Sequence, residues 1–190
     1  MKKITALLGA LVVLSSFGLA QEKQAPAKEE RKTISQALDG PIKVVEGELV
    51  PAAEAMPEDK YDFAPSNGEF KGVRTFAQQV KHVAAVNYLV GTAITGEKPP
   101  VDSNGEKGPD SLKSKADILK FLKDSFAYAH KATATLTDAN ALEPVPNPFA
   151  KEKSTRVALA TVFAWHGFDH YGQMVEYLRM NGIVPPASRN

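Results

Sequence analysis

Between Ile34 and Asn181 the sequence falls into four stretches of about 20 residues or more in which apolar side chains recur at steps of three and four, separated by proline- and glycine-rich segments. That recurrence is the period of the α-helix, so each stretch predicts a helix with one stripe to bury. The first runs from Ile34 to about Ala55, with Ile34, Leu38, Ile42, Val45, Leu49 and Ala53 on its stripe. Two prolines interrupt it. Asp39 can cap a helix whose first turn carries Pro41, leaving the residues before it as a separate turn, and Pro51 should kink the helix or lose a hydrogen bond. The second opens at Thr75, an N-cap, and carries Phe76, Val80, Val83, Asn87, Val90 and Ile94. In the third, Ser114-Lys115-Ala116-Asp117 resembles a capping box with Asp in place of Glu. Ile118, Leu122, Ser125, Ala129, Ala132 and Leu136 follow as its stripe, flanked by Phe121 and Phe126. The fourth starts at Ser154 or Thr155 and ends at Asn181, where Gly182 and Pro185-Pro186 supply stop signals. Residues 56–71, 96–111 and 137–148 read as loops, the middle one mobile and either a lid or an insertion. No strand pattern stands out. The expectation is an all-α protein, a single four-helix bundle.

Ahead of the helices, Met1-Lys2-Lys3, an apolar run from Ile4 to Leu14 and the small residues of Gly18-Leu19-Ala20 have the form of a secretory signal peptide cleaved after Ala20. The competing reading is an uncleaved anchor, because the run is close to the shortest that spans a bilayer. Residues 21–33 are charged and nearly free of large apolar groups, which predicts a disordered leader. The expected location is the periplasm or the exterior, with no membrane attachment after cleavage. The chain has no cysteine, which excludes disulfides, thiolate ligands, a cysteine nucleophile and a lipid-anchored lipoprotein. Its formal charge of +1 becomes −1 without Lys2 and Lys3, and no basic stripe stands out, so nucleic acid is not an expected partner.

Chemistry concentrates in the fourth helix, where His166 and His170 stand four residues apart. One helical turn separates them, so both imidazoles project from one face, and Leu159, Val162 and Phe163 before them with Val175, Tyr177, Leu178 and Met180 after them point that face inward. Such a pair can ligate one metal ion, or be satisfied by backbone and water. His82, beside the apolar stripe of the second helix, supplies a third candidate ligand from a facing helix, and three histidines leave positions open for water or substrate. Gly167 stands where a zinc-protease motif would place its glutamate, so that class is excluded. Gln173, one turn beyond His170, is the best supporting group, and Asn87, Asp169 and Tyr88 are further candidates for orienting ligands or substrate. His130, next to Lys131, is expected to face solvent, and Trp165 to pack in the core.

The order of elements, the Val80-Lys81-His82-Val83-Ala84 segment, the histidine pair and the run from His170 to Pro186 resemble the DinB family, also called DinB/YfiT-like, over Ile34 to Ser188. The resemblance implies an up-down-down-up four-helix bundle holding a divalent ion through His82, His166 and His170. It also implies a homodimer, as in many relatives, a small-molecule substrate, and either thiol-dependent transfer or an uncharacterised, damage-inducible role. Three neutral imidazoles leave a divalent charge uncompensated, the arrangement that most acidifies a bound water or thiol. Two function classes follow. One is a metal-dependent enzyme, a hydrolase or thiol-dependent transferase; the other is a non-catalytic envelope protein with a structural ion or none. Histidine suits zinc, nickel, iron and copper alike, and no catalytic residue beyond the ligands is identified.

Overall fold

The computed structural model describes residues 31–189, so the expected signal peptide and most of the leader lie outside the described residues. Four helices form: α1 (Ile34–Ala55), α2 (Phe76–Thr95), α3 (Lys115–Ala134) and α4 (Arg156–Met180). Local chemistry sets their starts. Thr33 and Thr75 each open a capping box with a glutamine three residues on, and Ser114 and Thr155 accept from Asp117 N and Ala158 N. At the other ends, Lys115 Nζ donates to Glu54 O and Met56 O at 2.7 Å each, and Arg156 donates to Ile94 O. Carbonyls left over at the ends of α1 and α2 are thus satisfied by side chains from α3 and α4.

Side-chain pairings give the topology. Asn87 meets Ser125 and Gly91 lies against Tyr128 and Ala132, so α2 and α3 run parallel. Asp39 meets His130 whereas Glu54 meets Lys123, which makes α1 and α3 antiparallel. Gln79 lies by His170 and Ile94 by Arg156, so α2 and α4 are antiparallel too. The bundle is up-down-down-up. Parallel neighbours need a connection that returns the length of the bundle, and residues 96–114 make that return along α2. Expected to be mobile, this crossover is instead tied down. His82 Nδ1 meets Glu106 O at 2.7 Å, Lys81 Nζ donates to Pro109 O at 3.3 Å, and Gly108 N donates to Ser103 O at 2.9 Å.

Most of the expected stripe residues are buried, and α2 is buried nearly all round because α3, α4 and the crossover all cover it. Four details differ from expectation. The first helix is unbroken from Ile34, so Asp39 is not a cap; it pairs with Lys43 and His130. Pro41 and Pro51 remove two N–H donors, but Ala37 and Gly47, whose carbonyls lose those partners, lie on the exposed side where water can serve. A short 3₁₀ turn, Glu58–Lys60, stands within a segment read as loop, and a two-residue antiparallel ladder pairs Pro144–Val145, also read as loop, with Ser154–Thr155, read as the start of the fourth helix. Met180, at the end of α4, is exposed rather than inward.

Candidate metal centre

Antiparallel contact between α2 and α4 brings His82 against His166 and His170. One ligand-capable nitrogen from each lies within 4.8 Å of the other two, and Nε2 of His82 is 3.1 Å from Nε2 of His166. Gly167 makes the close approach of α4 to α1 workable: a Cβ there would meet Val45 Cγ2 at 2.8 Å. His82 and His170 are buried, and His166 is half-buried.

Each buried ring has its other nitrogen occupied. The Glu106 carbonyl can only accept, so His82 carries its proton on Nδ1 and turns a bare Nε2 into the cluster. For His170 a row of side chains does the same. Asp169 Oδ2 accepts from Gln173 Nε2 at 3.1 Å, Gln173 Oε1 accepts from Gln79 Nε2 at 2.8 Å, and Gln79 Oε1 lies 2.6 Å from His170 Nδ1. A carboxylate at the end fixes both amides and leaves the His170 proton on Nδ1. His170 Nε2 is therefore free to ligate.

Electrostatics agree with the tautomers. Burial, then the charges of His170 and His82, push His166 down to about 3. Burial, then His82 and Arg74, push His170 down to about 4. Burial also lowers His82, with the Glu106 carbonyl opposing it. All three rings are neutral at pH 7. Their lone pairs converge, and two nitrogens bound at about 2.0–2.1 Å to a tetrahedral ion lie about 3.3 Å apart, close to the 3.1 Å between His82 and His166. The donor set fits a divalent transition ion with no carboxylate ligand. Asp169 Oδ2 is 4.0 Å from His170 Nε2 but is exposed and held by Gln173.

Above the cluster opens a cavity of about 390 Å³, with Arg74, Phe149, Val162 and Trp165 in its walls. Trp165 is 58% exposed, not a core residue, because it stands two positions from both Phe163 and Gly167 and so on the opposite face of α4; its ring centroid is 5.9 Å from that of His166.

Asn87 and Tyr88 do not join the site. Asn87 donates to Ser125 Oγ at 3.2 Å, and Tyr88 packs against Phe121 and Tyr128 with its hydroxyl pushed up to about 12 by burial. Nor does His130 face solvent. It is half-buried between Asp39 and Glu46 of α1, away from the cluster. Reading the sequence missed Gln79, Arg74 and the Glu106 carbonyl. Gln79, three residues before His82, was open to the spacing logic that found Gln173, whereas a backbone carbonyl leaves no trace in residue identity.

The sequence profile of the DinB superfamily matches residues 42–174. Among solved structures, YfiT from Bacillus subtilis, described as a probable metal-dependent hydrolase with an unusual four-helix bundle topology, is similar in fold, with a TM-score of 0.58 at 21% identity over 84% of this chain and 94% of that one. A comparison with curated protein sequences finds no match. With the profile covering well over half of its length and the bundle running up-down-down-up, the chain belongs to the DinB superfamily.

Proposed function

We propose that this protein is a metal-dependent hydrolase acting on a small molecule at the His82, His166 and His170 centre. The observation that carries the reading is that three neutral imidazoles converge at the floor of an open cavity with no carboxylate among them. A divalent ion bound there would acidify a coordinated water and polarise a substrate oxygen. Zinc, nickel and iron all suit the donor set.

The chain's own residues supply the rest. The Glu106 carbonyl and the Gln79, Gln173 and Asp169 row aim two of the imidazoles, while Val162, Phe149 and Trp165 offer an apolar wall that displaces water from a bound substrate. We read residues 1–20 as a cleaved export signal and the periplasm or exterior as the place of work. An oxidising compartment is poor in free thiols, which favours water over a thiol cosubstrate. The description of YfiT as a probable metal-dependent hydrolase points the same way. A purely structural ion would be enclosed, and this cavity is open.

Elemental analysis of untagged protein tests the reading. Wild type should carry about one ion per chain, and His82→Ala and His166→Ala far less, with any hydrolysis of ester or amide substrates lost in parallel. Wild type that takes up no zinc, nickel or iron(II) would sink it. An ion retained without turnover across such substrates would leave the structural role.

A further inference from the structure

Beside the metal pocket, sharing Arg74 and Gln173 with it, lies a larger cavity of about 520 Å³. Arg74, Lys81 and Lys107 line it with Asp110 as its one acid, a formal +2 on a chain whose whole formal charge is +1. Lys81 is only 9% exposed, and among the described residues its ammonium meets a single oxygen, Pro109 O at 3.3 Å. An ammonium has three donors, so two remain for the cavity, and a buried cation this poorly paired is stabilised by an anion. Arg74 has no carboxylate within 4.0 Å among the described residues. It lines both cavities, so its guanidinium stands between the basic cavity and the three histidines. The start of α2 is not the attraction, since Thr75 and Gln78 already cap each other there.

We propose that this basic cavity is the subsite for an anionic group, a carboxylate or phosphate, on a small substrate whose reacting group sits over the three histidines. The inference rests on that centre being an open reaction site. The substrate is then bipartite, its acid on Lys81, Lys107 and Arg74 and its reactive end beside Trp165. The occupant is a small acid, because the cavity is of small-molecule size.

Hydroxamates provide the test, since the hydroxamate ligates metal and the tail can be varied. Zinc-loaded full-length protein is titrated calorimetrically with acetohydroxamate, with the monohydroxamates of succinic, glutaric and adipic acids, with their neutral terminal amides, and with phosphonate-tailed counterparts. At least one acid should bind about tenfold or more tighter than its amide, the size expected of a charge-assisted contact. Lys107→Gln, an exposed position, should reduce that advantage severalfold with zinc content unchanged, and Lys81→Gln should act in the same direction. The phosphonates show which anion the subsite prefers. Acids and amides binding within about twofold of each other, while acetohydroxamate still binds, would overturn the subsite and leave the metal centre standing. If zinc is retained but no hydroxamate binds, the open centre falls and the subsite with it.

Discussion

The chain's four histidines occupy two sites of opposite character. At the α2–α4 contact three rings crowd together without a ligating carboxylate, and burial keeps all of them neutral, helped at His166 and His170 by the neighbouring rings. At the α1–α3 contact one ring stands alone between two carboxylates, Asp39 at 2.5 Å and Glu46 at 2.9 Å. Burial works against its charge, but the hydrogen bonds to Glu46 and Asp39 outweigh it and raise the His130 pKa. The same side chain in the same fold is thus prepared either to hold its own proton or to share an outside cation. What decides is whether anions or other imidazoles surround it.

Removing the metal should break the symmetry most strongly. An ion that binds only the folded state adds about 4 kcal/mol at 1,000 times its dissociation constant, and a chain of this size moves about 2–4 °C per kcal/mol. Scanning calorimetry of loaded protein with and without chelator should therefore show a drop on the order of 8–16 °C. His130→Ala should respond as wild type does, and His166→Ala should not respond. An equal chelator effect in His166→Ala would show that the ion sits elsewhere.

The second effect concerns how the three rings are aimed. Gln79→Ala leaves His170 Nδ1 without its partner and cuts the row to Gln173 and Asp169. Loss of such support weakens metal binding by about 10–100-fold. Competition against a chelating dye should detect that loss, with Gln173→Ala, one bond further out, losing less. Gln79→Ala within about twofold of wild type would mean that packing alone orients His170.

Much of the fold was open to reading because its signals are local. Thr75, Ser114 and Thr155 announce helix starts, and three-four periodicity fixes the buried faces, since both depend on residues within a turn of each other. The His166 and His170 pair was open for the same reason. What escaped depends on angle and distance. Asn87 is five residues past His82, about 140° round the helix, and so faces α3, whereas Gln79 is only about 60° away and faces the site. The parallel order of α2 and α3 came from the family resemblance and not from residue pattern, and the crossover's role could not be read because Glu106 acts through its backbone. His130 looked like a surface residue beside Lys131. Its partners are 91 and 84 residues away. The only hint was Asp39, Lys43 and Glu46 recurring along one face of the first helix.

That remote partnership makes the smallest and most specific prediction. His130 has its pKa raised above the ordinary 6.5, so its contribution is complete below pH 6.5 and fades as pH rises through the higher folded value. For Asp39, burial opposes the shift, but Lys43 and His130 lower its pKa below the ordinary 3.8, so its contribution is present above that value and lost as pH falls through the lower one. Both are in force only between about pH 4 and 6.5. Hydrogen bonds to charged groups contribute about 1.5–3 kcal/mol when well buried, but these side chains are a quarter to a third exposed, so about 1 kcal/mol is the expected loss in His130→Ala. Urea titrations from pH 4 to 9 should show the gap between wild type and His130→Ala widest near pH 5–6 and narrowing above pH 7. Metal content should be the same in both. A gap that stays constant across the range would mean that His130 contributes packing rather than charge, and the contrast between the two histidine sites would reduce to one of location.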